Sequence, residues 1–374
     1  MKFLNDQRRL YFLSACLLAA TVLLCLTWRF WSGTAGEHRD EIASMPSSTT
    51  DPLTSTTPGP DGSSPQPVSK VEAESSSAVS TIVYYQDNNG YLVPVMKQIA
   101  PQEGIARATL SMMVSSPHND MEAARLGLRT VLPEGTDIDL DIAGGTARVN
   151  LSGAVENLPD AVAESSMVSA VVQALTEFDT VNTVRFLING REVETLAHGT
   201  PVSGDFTRGM INLESVAADF PVEAAQTVTL YFAGETGSLI VPVTRMVYGS
   251  ADLNTAVMEL LKGPDDMSPL ESALPAGCGL ISVDLDQAGK ASINLTSEFM
   301  NLIDATDGGR QALRALALTC AQFPGVTAVE VLVNGSPYDA AEATSALPRF
   351  VNDAETVADQ FLQAQARMLF GPDE

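Results

Sequence analysis

The chain has 374 residues, 45% of them hydrophobic, and its 46 Asp+Glu against 21 Lys+Arg give a formal net charge of −25. Such a polyanion repels nucleic acid and anionic head groups, which argues against a basic surface for either and reads instead as a solubilising exterior. The length suits two ordinary domains with extra segments, and four cysteines without a CxxC pair spell neither a disulfide framework nor a metal spacing.

From the N-terminus, Leu10 to Trp28 is a run without charge or proline. About 19 residues at a helical rise of 1.5 Å reach about 29 Å, close to the hydrocarbon thickness of a bilayer. Lys2, Arg8 and Arg9 precede the run and Trp28, Phe30 and Trp31 close it. Residues 1–31 therefore read as a cytoplasmic stub and an uncleaved, single-pass signal anchor, with everything later outside the cytoplasm. Two rival readings stay open. Leu13-Ser14-Ala15-Cys16 has the form of a lipobox, which would make Cys16 a lipidation site, although the chain stays apolar beyond it. A cleaved signal would have to use the small residues Ser32-Gly33-Thr34-Ala35. Residues 32–79 hold no aromatic residue and are rich in Ser, Thr and Pro. They cannot bury enough apolar area to offset their ordering entropy and read as a disordered tether.

Most of the chain beyond residue 80 is written twice. Thr81-Ile82-Val83-Tyr84-Tyr85 returns as Val228-Thr229-Leu230-Tyr231-Phe232, and Val93-Pro94-Val95 as Val241-Pro242-Val243. Arg148-Val149-Asn150-Leu151-Ser152 answers to Ser292-Ile293-Asn294-Leu295-Thr296, and Phe186-Leu187-Ile188-Asn189-Gly190 to Val331-Leu332-Val333-Asn334-Gly335. A period this long is a duplicated domain rather than a solenoid repeat.

Within each copy an alternating strand leads through a turn to a V-P-V strand, which the proline demotes to an edge. A helix comes next with Ala106, Leu110, Met113 and Val114 on one stripe, matched by Leu253, Val257, Leu260 and Leu261. Pro117 and Pro264 read as the stops of these helices. A hairpin succeeds it, its apolar residues alternating with Asp137, Asp139 and Asp141 in one copy and Asp284 and Asp286 in the other. A second helix carries Val168, Val171, Val172, Leu175 and Phe178, or Leu313, Leu316, Ala317, Cys320 and Phe323. The last strand ends on Asn189-Gly190 or Asn334-Gly335, which predicts a type I′ turn.

The order β-β-α-β-β-α-β, with two amphipathic helices to cover a mostly antiparallel sheet, predicts an α+β fold of two tandem α/β two-layer sandwich domains. The expected boundaries are 80–202 and 225–338, with a linker at 203–224. The tail is 339–374, with a helix through Val357, Phe361, Ala364 and Met368.

The V-P-V strand, the helix closed by Leu261-Lys262-Gly263-Pro264, the paired Leu132-Pro133 and Leu274-Pro275, the N-L-[ST] strand and the terminal N-G together resemble the GerMN domain family. This module occurs in tandem in spore-germination proteins of endospore-forming bacteria. The resemblance implies a role in sporulation and germination outside the cytoplasmic membrane, a fold like that of ring-building modules, and a place in the space between mother cell and forespore.

No catalytic, cofactor or metal site is expected. His38 lies in the tether, His118 in a loop after Pro117, and His198 past the first copy; none recurs in the second copy. The acidic positions of the hairpin read as its solvated side rather than a calcium ridge. Cys320 reads as a small buried hydrophobe, and whether it pairs with Cys278 is left open. The expected function is non-enzymatic: a membrane-anchored assembly or scaffold protein whose partners are other sporulation envelope proteins or further copies of itself. The alternative is a cell-envelope binding module for peptidoglycan or a wall-associated protein.

Overall fold

A computed structural model of the chain describes residues 78–214, 225–235, 237–302, 308–338, 344–348 and 350–358. The predicted anchor over 10–28, Cys16, His38, the tether up to residue 77 and the tail beyond Ala358 lie outside them. Among the described residues no helix is long and apolar enough to cross a membrane.

In the first copy, strands β1 (Val79–Gln86) and β2 (Leu92–Ile99) form an antiparallel hairpin, with Tyr84 opposite Pro94. Helices α1 (Ile105–Ser111) and α2 (Pro117–Ala124) succeed it. Next come β3 (Ile138–Ala143), β4 (Thr146–Leu151), helix α3 (Ala161–Leu175) and β5 (Thr183–Ile188). The second copy repeats the plan with β6 (Ala225–Ala233), β7 (Ile240–Tyr248), α4 (Leu253–Leu261), β8 (Leu280–Leu285), β9 (Lys290–Leu295), α5 (Gly308–Ala321) and β10 (Ala328–Val333). Short strands β11 (Ser336–Pro337) and β12 (Thr344–Ala346) pair with β10.

Two expectations need correction. The strands of each copy do not share one sheet: the hairpin stands apart, and β3-β4-β5, like β8-β9-β10, is a separate mixed sheet. Within it β5 runs parallel to β4, and β10 to β9, because the helix between each pair carries the chain back to the starting end. Pro117 starts a helix rather than stopping one. It occupies the first turn of α2, where its missing N–H costs nothing, and the Ser116 hydroxyl accepts from Asn119 N at 3.2 Å. His118 therefore sits on a helix, not in a loop.

The sequence motifs that recur in both copies have a local physical role. Asn189 (φ 50°) and Gly190 (φ 73°) turn the chain in the left-handed region, as Asn334 (φ 48°) and Gly335 (φ 81°) do. Asn150 Oδ1 accepts from Gly190 N at 2.7 Å, and Asn294 Oδ1 from Gly335 N at 2.8 Å. The Asn of N-L-[ST] thus fastens the Asn-Gly turn of the neighbouring parallel strand.

Both faces of the β1–β2 hairpin are covered: Val83, Tyr84 and Tyr85 are all buried, as are Leu92, Val93 and Val95. One hydrophobic cluster runs through both copies, from Val83 and Leu110 to Leu260 and Val331. Replacing Asn150 or Asn294 by Ala should lower unfolding stability by about 1 kcal/mol each through loss of the turn fastener. Urea unfolding of the two variants checks this, and unchanged midpoints would remove the role given to the motif.

Candidate functional site

The feature that both copies build alike lies at the seam between them. Strands β2 and β7 pack side by side, each carrying a proline at the same ladder position, Pro94 opposite Tyr84 and Pro242 opposite Tyr231. A proline has no N–H, so at that point each edge offers only a carbonyl. Two asparagines supply the missing donors. Asn212 Oδ1 accepts from Leu92 N at 2.8 Å, while its Nδ2 donates to Leu92 O at 2.8 Å and across the seam to Pro242 O at 2.7 Å. Asn352 does the same from the other side: Oδ1 accepts from Ile240 N at 2.8 Å, and Nδ2 donates to Ile240 O at 2.8 Å and Pro94 O at 2.9 Å. Leu92 and Ile240 are equivalent positions, so the two clamps are related by the duplication itself.

The segments that carry these asparagines also add backbone bonds to the sibling copy. Thr244 N donates to Ile211 O and Glu214 N to Thr244 O, while Met96 N donates to Asn352 O. Residues 206–214, within the stretch read as linker, and residues 350–353, within the stretch read as tail, thus each bond both to the copy they follow and to its sibling. A helical turn over 354–358 comes after the second clamp, with Asp353 Oδ1 accepting from Thr356 N at 3.0 Å.

Charge reinforces the seam. Arg245 on β7 holds Glu214 of the first trailing segment with Nε to Oε2 at 2.5 Å and Nη2 to Oε1 at 2.9 Å. It also reaches Glu259 Oε2 at 3.3 Å and the Gly263 carbonyl at 2.8 Å, and lies over the Phe232 ring. All three charged side chains are largely shielded from water, so the guanidinium is satisfied by geometry rather than by solvent. Arg208 ties the same segment down at its other end through Glu177 Oε1 at 2.6 Å and the Tyr84 hydroxyl at 3.2 Å. Burial beside Glu177 pushes the Tyr84 hydroxyl well above its usual range, so it stays a donor.

One buried carboxylate belongs to the first copy alone. Glu164, in the first turn of α3, is fully buried and accepts from His198 N at 2.7 Å and Thr200 N at 3.2 Å. Burial alone would raise its pKa, but these hydrogen bonds and the neighbouring His198 bring it below the ordinary value. His198 itself donates Nε2–H to Leu158 O at 2.7 Å and is a loop fastener.

The other residues singled out in the sequence do not converge. Asp137, Asp139, Asp141, Asp284 and Asp286 are exposed along the hairpins, and His118 is exposed on α2. Cys278 and Cys320 are both free and buried, and burial pushes their thiols up to about 11 and about 12, which keeps them protonated at neutral pH. Among the described residues no group of three or more His, Cys, Asp or Glu could hold a metal ion. The clamp asparagines escaped sequence reasoning. Their one signal is the triplet Met210-Ile211-Asn212, which returns as Phe350-Val351-Asn352 in stretches read as linker and tail.

The family model described as "Germane: Sporulation and spore germination" matches residues 82–194 and, a second time, residues 229–339. The chain belongs to the Germane family. The spore germination protein GerM of Bacillus subtilis (strain 168) is 30% identical over 271 residues, covering 70% of this chain and 73% of that protein. Among solved structures, the tandem GerMN domains of the sporulation protein GerM from Bacillus subtilis match at 27% identity with a TM-score of 0.62. The match covers 74% of this chain and 99% of the other. The GerMN resemblance read from the repeated motifs is therefore borne out, and the tandem arrangement of Germane modules is common to both proteins.

The seam and the buried carboxylate each set a measurable outcome. Asn352, 3% exposed, leaves Ile240 N–H, Ile240 C=O and Pro94 C=O without partners when truncated. At about 1–3 kcal/mol for each buried group left unsatisfied, Asn352→Ala should cost at least about 3 kcal/mol. Asn212→Ala, at a site that water reaches, should cost less; equal losses in denaturant titrations would contradict the unequal burial of the two clamps. Glu164 has a depressed folded-state pKa, so its stabilisation is present above the unfolded value of about 4.3 and is lost as pH falls through the folded value. Glu164→Gln should flatten the acid limb of stability against pH below about pH 4.3, and an unaltered limb would refute it.

Proposed function

We propose that the protein is a non-enzymatic scaffold of the sporulating cell envelope, held at the membrane by residues 1–31 with its tandem Germane modules outside the cytoplasm. The family match supports a role in sporulation and spore germination. The observation that carries the scaffold reading is the nature of what the two copies share. At equivalent positions they present a contact device, a proline-bearing edge strand gripped by an asparagine, and this device joins one module to another. A chain that spends its duplicated features on module-to-module contact is suited to holding other envelope proteins in register. Strand edges β3 and β8, unpaired on their outer side among the described residues, offer further backbone donors and acceptors for such contacts. The apolar run over 10–28 supports the anchor.

Deletion of the gene in a spore-forming host should reduce spore yield or slow germination, scored by heat-resistant colony counts and loss of refractility. Complementation with the full chain should restore both, whereas a version lacking residues 1–31 but secreted to the same compartment should not. Normal sporulation and germination in the deletion strain would overturn the proposal.

A further inference from the structure

The duplication makes each copy a control for the other, and at one equivalent position beside the seam the copies differ. Ladder register sets Lys97, opposite Thr81, at the place of Arg245, opposite Val228. Both cations lie over an aromatic ring, Lys97 above Tyr85 at 5.6 Å and Arg245 above Phe232 at 5.7 Å. Aligning the helices on Leu110 and Val257 puts Met112 where Glu259 stands, and aligning the clamps on Asn212 and Asn352 puts Ala354 where Glu214 stands. Both carboxylates that enclose Arg245 are therefore missing around Lys97. Their space is a cavity of about 280 Å³, lined among others by Lys97, Met112, Glu122, Asp353, Ala354 and Glu355.

The charges around that cavity are left incomplete. The Lys97 ammonium has three donors, but its only ion-pair partner among the described residues is Glu122 at 3.5 Å, which also serves Arg125 at 3.1 Å. The Lys97 side chain is 14% exposed and lines the cavity, where no second carboxylate pairs with it among the described residues. Asp353 and Glu355 bring two negative charges to the same space, and neither makes an ion pair among the described residues; Asp353 Oδ1 is occupied in capping the turn at Thr356. The cavity thus offers an under-satisfied cation on one wall and unpaired carboxylates on another. Its volume falls just below the usual roughly 300–1,000 Å³ of small-molecule pockets, which suits a ligand of few atoms.

We propose that this cavity binds a free α-amino acid as a zwitterion, its carboxylate on Lys97 and its ammonium against Asp353 and Glu355. The ligand carboxylate takes the place that Glu214 has beside Arg245 in the sibling copy. Because the acidic groups of the wall outnumber Lys97, a second positive charge on the ligand strengthens binding and a second negative charge weakens it. The binding role is separate from the scaffold role, and neither requires the other.

Methionine-methyl NMR on the full chain in detergent, labelled at the methionine methyl groups, tests it, because Met96 and Met112 both line the cavity. L-alanine and L-lysine should shift these two signals saturably, with half-saturation near about 1 mM and L-lysine the tighter. L-glutamate should bind at least about tenfold more weakly, and N-acetylglycine and methylamine, each with one charge only, should leave the signals in place. Lys97→Met should abolish the shifts. The triple variant Lys97→Arg, Met112→Glu, Ala354→Glu rebuilds the sibling's ion cluster, so it should fold normally and lose binding; it decides the matter if Lys97→Met does not fold. The proposal is overturned by absence of saturable shifts up to about 50 mM, by N-acetylglycine or L-glutamate matching L-alanine, or by undiminished binding in the triple variant.

Discussion

Two strands that each carry a proline at the same ladder position lie side by side between the two copies, and neither can donate a hydrogen bond there. Direct pairing would leave Pro94 O and Pro242 O without donors, at a fully buried clamp beside Asn352 and a half-buried one beside Asn212. A carboxamide solves this because it holds one acceptor and two donors in a single plane. Asn212 and Asn352 each spend the acceptor and one donor on a single strand and carry the second donor across to the facing strand's proline. The course of both trailing segments, the position of Glu214 against Arg245 and the cluster of apolar residues shared by the copies all depend on this arrangement.

That constraint joins the two modules of the tandem along one seam. A lone copy would expose the outer side of its V-P-V strand, with a carbonyl, a buried apolar face and no partner. Duplication supplies the partner in the same chain, where the effective concentration is high and no separate association step is needed. The two halves have since diverged where the seam tolerates it. An arginine enclosed by two glutamates on one side faces a lysine, a methionine and an alanine on the other. The first arrangement fills its space with charge that is already satisfied; the second leaves volume and unbalanced charge, which is the physical condition for binding something from solution.

Much of the architecture was legible in the residues. The strands and the helix cores emerged from apolar periodicity that survived in both copies, since only positions facing the core are kept apolar twice. The Asn-Gly turns were readable because positive φ at two consecutive residues restricts the chemistry to very few residue types. Pro117 misled for an instructive reason: a proline between helices can end one or begin the next, and only the Ser116 cap, which acts through space on Asn119, separates the cases. The single-sheet expectation failed because amphipathic alternation reports that a strand has a buried face, not which strand lies beside it. The clamp went unread because a lone Asn between apolar residues in a polar stretch carries no periodic signal.

Local patterning was enough to establish the duplication, the class of elements in each copy, the family and the turn chemistry, because these rest on short-range steric and periodic preferences written in neighbouring residues. It took the folded chain to bring residues 206–214 and 350–353 against the two hairpins and to partner Pro94 with Asn352. The same holds for the cavity beside Lys97, where the sibling copy has two glutamates around Arg245. Those facts depend on groups far apart in the chain meeting within hydrogen-bond distance, and such meetings are set by the packing of whole elements, which no local pattern encodes.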